Sequence, residues 1–214
     1  MHFNLEEQEQ LAEFKAWWKQ YGKWLIAGVA SALLIYALYA GWGWWTNRQS
    51  ENASKLYDTL LVSAQKQDAA GVLRAAADIQ DQFSSTSYAG MAGLVAAQVA
   101  NAAGDMVNTE KQLRWTADKA KSEAHADLAK VRLISLLIDK GDFAGADKVA
   151  SGSVSKPFMP LLLERRGDIQ LAQQKNAEAR KAYQEAWELL SKNKEVPDEA
   201  KRLLKVKLDA VGGL

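Results

Sequence analysis

The chain has 214 residues, 27 Lys plus Arg against 26 Asp plus Glu, and no Cys. That length allows one domain plus an appendage, the lack of Cys excludes a disulfide scaffold and a Cys-ligated zinc site, and a net charge of +1 argues against a broad grip on nucleic acid. Ala occurs 36 times and Pro three times, none before Pro157, which points to an all-α chain.

Six of the eight Trp fall in the first 45 residues. Residues 1–23 read as a cytoplasmic leader. Within it Leu11, Phe14 and Trp18 recur at helical steps with Lys15 and Lys19 beside them, a stripe suited to the inner membrane interface. Residues 24–45 follow as a single N-terminal transmembrane helix. The stretch Trp24 to Asn47 carries no charged side chain, and the span's 22 residues reach about 33 Å, enough for a hydrocarbon core of about 30 Å. Trp24 at one end and Trp42, Trp44 and Trp45 at the other read as interfacial belts. The apolar run is too long for a signal peptide and lacks a fitting cleavage site, so it reads as an uncleaved anchor. Lys15, Lys19 and Lys23 on one side against Arg48 and Lys55 on the other place the N-terminus inside and the larger remainder outside. Gly28 with Ala32, and Ala37 with Gly41, are small residues four apart, the spacing of close helix packing.

Residues 48–214 read as a helical repeat domain. Breaks fall at Gln67-Asp68, Gly104-Asp105, Gly141-Asp142 and Lys175-Asn176, with spacings of 37, 37 and 34 residues. Gly at such a break suits the left-handed turn that ends a helix. Around the third break, Leu133, Leu136 and Leu137 share one face before Gly141, and Ala146 belongs to the face after it. In the last repeat Gly167 is followed by Ala179, Tyr183 and Ala186, the small–small–aromatic–small order of a tetratricopeptide repeat (TPR). Arg166-Gly167-Asp168 spells an adhesion tripeptide but falls inside a predicted helix. Pro197 starts a final amphipathic helix that caps the stack, its Lys201, Arg202, Lys205 and Lys207 reading as a solvated face. First helices of repeats line a concave groove, which makes Arg132, Glu164 and Gln170 candidate contacts.

Enzyme chemistry has little to stand on. The two His, His2 and His125, form no zinc-binding pair, and neither a nucleophile elbow nor a phosphate loop occurs. The chain therefore reads as non-enzymatic, with no catalytic, metal or cofactor residues and no small-molecule substrate.

The leader Glu6-Glu-Gln-Glu-Gln-Leu-Ala-Glu-Phe-Lys-Ala-Trp-Trp-Lys-Gln-Tyr-Gly22, one span, and a repeat domain containing Lys111-Gln-Leu-Arg-Trp115 and Lys130-Val-Arg-Leu133 together resemble the ancillary subunit of the Sec translocon, the YfgM-like membrane-anchored TPR family. The resemblance covers essentially the whole chain. It implies a single-pass protein of the bacterial inner membrane with a periplasmic TPR-like α-solenoid. Its implied partners are the SecYEG channel and a PpiD-like periplasmic membrane-anchored chaperone. The implied role is a TPR adaptor linking channel to chaperone and assisting the folding of translocated proteins. A scaffold for cell-wall or division assemblies, or a regulator of envelope stress signalling, would share the same parts. One departure is Thr109, which stands where a second repeat helix wants a small apolar residue.

Overall fold

A computed structural model describes residues 5–193 and 196–212; His2 lies outside them. Among the described residues there are nine α-helices, one 3-10 turn (Lys156–Phe158) and no strand. The chain divides into two units, residues 1–48 and 49–214. Helix α1 (Leu5–Gln65) makes up the first and supplies the first helix of the second. There follow α2 (Ala69–Gln82), α3 (Ser87–Ala102), α4 (Met106–Lys119), α5 (Glu123–Asp139), α6 (Phe143–Ala150), α7 (Met159–Ala172), α8 (Asn176–Lys192) and α9 (Asp198–Ala210).

In the second unit the helices form four hairpins, each closed by the same turn. Gln67, Gly104, Gly141 and Gln174 adopt left-handed backbone at φ 56°, 77°, 73° and 63°. The N–H of each donates to a carbonyl three residues back, and the next N–H donates five back, as at Asp105 to Ala100 (2.9 Å) and Asp142 to Leu137 (2.9 Å). This is the double bond of a Schellman turn, and it satisfies carbonyls that the helix end leaves open. Three turns run directly into an Asp cap. Asp68, Asp105 and Asp142 accept the N–H of Gly71, Asn108 and Gly145 at 2.9, 3.0 and 2.9 Å.

The fourth turn differs. The sequence puts its break at Lys175-Asn176; the left-handed residue is Gln174 and the cap is Lys175, one position earlier. Measured between left-handed residues, 67 to 104 and 104 to 141 are 37 residues and 141 to 174 is 33. The Lys175 side chain cannot accept a hydrogen bond; its ammonium donates to Gln173 Oε1 at 2.6 Å, and a cation at the start of α8 is unfavourable beside the helix's positive end. A Gln174→Gly, Lys175→Asp double variant, which restores the chemistry of the second and third turns, is expected to stabilise the domain by about 1–2 kcal/mol. Thermal or urea unfolding checks this, and an unchanged midpoint would refute it.

Packing within the hairpins has one rule with four solutions. Counting seven back and nine forward from each left-handed residue gives Leu60 with Ala76, Ala97 with Leu113, Ile134 with Ala150, and Gly167 with Tyr183. All eight are buried. Each hairpin sets one large side chain against one small one, so the interhelix space is filled once and not twice. At the last pair the fit is closest: a Cβ built on Gly167 would lie 2.3 Å from the Tyr183 ring.

The second repeat absorbs its unusual Thr109 without an unpaired group. Thr109 is buried, and its hydroxyl donates to the Asp105 carbonyl at 2.8 Å. Nearby, Gln80 of α2 donates to Gln112 of α4 at 2.7 Å inside the core, so α2 and α4 are tied by a satisfied polar pair. A second polar tie holds the loop after α6. Asp127 of α5 accepts the N–H and hydroxyl of Ser155 at 2.8 and 2.7 Å and the Lys130 ammonium at 3.1 Å. Burial alone would raise the Asp127 carboxyl, but these donors hold it below the usual carboxylate range. Finally, α9 lays Leu204 and Leu208 into a core shared with Leu163, Tyr183, Ala186 and Leu190, covering the end of the stack.

Candidate interaction surfaces

Among the described residues, the apolar part of α1 packs against nothing else in its own unit. It is long and apolar enough to cross a membrane, and Trp24, Trp42, Trp44 and Trp45 all face outward. Trp42 and Trp45 meet in a tilted pair at 5.9 Å, and the Arg48 guanidinium lies 5.2 Å over the Trp44 ring. The cation therefore stands at the end of the apolar run, on the face of an indole. Gly28 and Gly41 have open space where a Cβ would be. The two small pairs do not share a face. From Gly28 to Ala37 and from Ala32 to Gly41 is nine residues, or about two and a half turns, which sets them back to back. The second pair lines a 380 Å³ groove with Leu38, Trp42 and Trp45.

In the repeat unit the three proposed groove residues fall in three different places. Arg132 is exposed on α5 in a 420 Å³ cleft with Gln98 and Asn101 of α3, Thr109 of α4, and Asp139. Gln170 lines a 510 Å³ cleft bordered by α6, α7 and α8, with Asp147, Arg166, Glu178 and Lys181. Glu164 is not available: the Lys207 ammonium of α9 binds it at 2.6 Å.

That lysine is the residue which sequence reasoning missed. Lys207 also reaches both Asp168 oxygens at 2.8 and 2.9 Å, so it is a tether and not part of a solvated face. Asp168 further accepts the Tyr183 hydroxyl at 2.8 Å and pairs with Arg165. Burial, and then the Asp168 carboxylate beside it, pushes the Tyr183 hydroxyl well above its ordinary value and keeps it protonated. Lys205 and Arg202 remain exposed, the latter 3.5 Å from Glu199. The only sequence signal for the tether was the register of Lys207 beside Leu204 and Leu208, which distinguishes it from its neighbours once that apolar face is known to be buried.

The adhesion tripeptide is fully engaged. Arg166 donates twice to the Ala150 carbonyl (3.0 and 2.7 Å), Gly167 receives the Tyr183 ring, and Asp168 holds Tyr183 and Lys207. Ala179 and Ala186 are buried beside Tyr183, and Ala146 lies in the central core. Gly141 is exposed at its turn, where conformation and not packing calls for glycine. His125 packs its ring against Gly90, and its buried Nδ1 has no partner among the described residues.

Repeated two-helix hairpins ending in a capping helix, behind a long apolar helix, define a membrane-type TPR-like protein. The family model described as a tetratricopeptide repeat-like domain matches residues 15–213, taking in the apolar helix as well as the repeats. The chain is 31% identical over 216 residues to a protein of Neisseria gonorrhoeae named ancillary SecYEG translocon subunit, with 99% of this chain and 100% of the relative covered. Proteins of the same name in Haemophilus influenzae and Aggregatibacter actinomycetemcomitans are 28% and 27% identical, covering 87% and 88% of this chain and 91% and 92% of the relatives. The chain belongs to this family of TPR-like ancillary translocon subunits.

Proposed function

We propose that the chain is a single-pass inner-membrane subunit ancillary to SecYEG, with its N-terminus in the cytoplasm and its repeat unit in the periplasm. In this reading residues 1–23 are the leader, 24–45 the span and 48–214 the working domain. Trp24 sits at the inner interface, and Trp42, Trp44 and Trp45 at the outer one. The opposed small pairs, Gly28 with Ala32 and Ala37 with Gly41, let one span pack between two neighbouring helices. The repeat unit is a non-enzymatic adaptor that brings a PpiD-like membrane-anchored chaperone to the channel and so assists the folding of translocated proteins. Anchoring raises the effective concentration of the repeat clefts near other membrane proteins, so modest affinity suffices.

The single observation that carries this reading is the end-to-end match to an ancillary SecYEG translocon subunit, leader and span included. Photo-crosslinking residues placed at Gly41 and at Arg132 in intact membranes test it. Adducts to a channel subunit from the span and to a membrane-anchored chaperone from the cleft are expected. Adducts confined to wall synthases would establish the scaffold reading instead. An alkaline phosphatase fusion after residue 60 is expected to be active, and an inactive fusion would reverse the topology.

A further inference from the structure

The leader carries an apolar face that no other described residue of its unit covers. Phe14, Trp17, Trp18 and Tyr21 stand at i, i+3, i+4 and i+7, so they share one side of α1. Their rings touch one another, Phe14 stacked 6.2 Å from both indoles and Trp17 tilted 6.0 Å from Tyr21. They remain 59%, 44%, 44% and 48% exposed. Lys23, nine residues on from Phe14, points to the opposite side, and Lys19 and Ala16 flank it.

A leader continued straight out of the membrane would leave this face in water. Each headgroup layer is about 5–7 Å deep. At about 1.5 Å per residue, Trp18 is roughly 9 Å and Phe14 roughly 15 Å beyond Trp24 along the axis. Both would pass the layer that suits them. Leaning the leader over brings all four rings to one depth. The residue types favour lipid as the covering phase: two indoles and a phenol pair an apolar body with one polar tip, the combination that headgroup regions accommodate. The charges agree, for Lys15, Lys19 and Lys23 lie next to the span while Glu9 and Glu13 lie further out. The joint is also marked. Gly22 lies near the end of the leader, two residues before the span, and the Trp18 indole occupies the space its side chain would take, 3.1 Å from a built Cβ. Glycine gives a helix backbone its greatest local freedom.

We propose that residues 9–21 lean over at Gly22 and bury the Phe14–Trp17–Trp18–Tyr21 face in the headgroup layer of an anionic bilayer, lying along the membrane surface. This rests on the reading that α1 crosses the membrane. The absence of Cys allows a direct test. Single Cys substitutions at each of residues 13–21 of the full chain, spin-labelled and reconstituted in phosphatidylethanolamine–phosphatidylglycerol vesicles, report depth from relative access to oxygen and to a water-soluble nickel chelate. Expected is a severalfold swing with helical period, residues 14, 17, 18 and 21 protected from nickel and 16 and 19 open to it. The Lys15→Gln, Lys19→Gln, Lys23→Gln triple variant is expected to lose part of that protection, and Gly22→Ala to weaken the swing. Uniform nickel access in a chain that floats with the vesicles overturns the proposal and leaves the span standing. Spin–spin broadening at the aromatic positions would assign the face to a second copy and also overturn it. A chain that fails to float overturns both the proposal and the anchor.

Discussion

Tyr183→Ala is expected to destabilise the repeat unit by about 3–5 kcal/mol, a fall in Tm on the order of 10 °C. Tyr183 is fully buried, fills the space left by Gly167, and its hydroxyl is bound to Asp168. Gly167→Leu is expected to cost at least as much, because the backbone of α7 already touches the ring. Their combination is the informative variant. Together they recreate the large-then-small order that Leu60 with Ala76 and Ile134 with Ala150 use in the first and third hairpins, so the double variant is expected to recover a large part of the loss. Urea unfolding of the two single variants and the double variant measures the coupling. Simple additivity would show that the pairs are not interchangeable. Tyr183→Phe isolates the hydroxyl and is expected to cost about 1–2 kcal/mol. It has a second signature at high pH. The Tyr183 hydroxyl titrates higher when folded, so its contribution is whole below the unfolded value of about 10.0 and is lost as pH rises past it. The Phe variant is expected to lack that part of the alkaline loss.

Asp127→Ala is expected to cost about 2–3 kcal/mol and to loosen the segment between α6 and α7. The side chain is 1% exposed and accepts both Ser155 donors. Removing it leaves those groups to find water at the edge of the core. Its pH signature is opposite to that of Tyr183. The folded carboxyl titrates below the unfolded value of 3.8, so the clamp contributes in full above that pH and is lost as pH falls through the folded value. Acid unfolding of the wild-type chain is therefore expected to be steeper below about pH 4 than that of Asp127→Ala. Parallel acid curves would remove Asp127 from the account. Limited proteolysis is expected to cut the variant between residues 151 and 156.

What was legible in the sequence shares a common property: each signal is local. The apolar run, its flanking Trp and the charge-free span lie within about two dozen consecutive residues. Gly104 and Gly141 announced their turns because glycine is the residue that a left-handed position favours. Gln67 and Gln174 take the same conformation with no such mark, and only an Asp after Gln67 pointed to the first turn; after Gln174 stands Lys175, and the break was placed one residue late. Candidate groove residues were read from helix order alone, which says which helix faces a groove but not what already sits there. Glu164 was chosen on that rule, and α9 holds it with a lysine 43 residues away.

The sequence by itself determined that this is an all-helical chain with one apolar helix, a repeat of about 34–37 residues and a Trp-rich first stretch, since composition, period and hydrophobic run are written along the chain. Tertiary structure alone decided which side of each hairpin carries the large residue, that Lys207 is a tether, that Asp127 clamps the loop after α6, and that the three groove candidates do not meet. The reason is physical. Those choices depend on which residues meet across gaps of about 15 to 45 positions, where a pair is specified by the space its helices leave and by the charge it must satisfy.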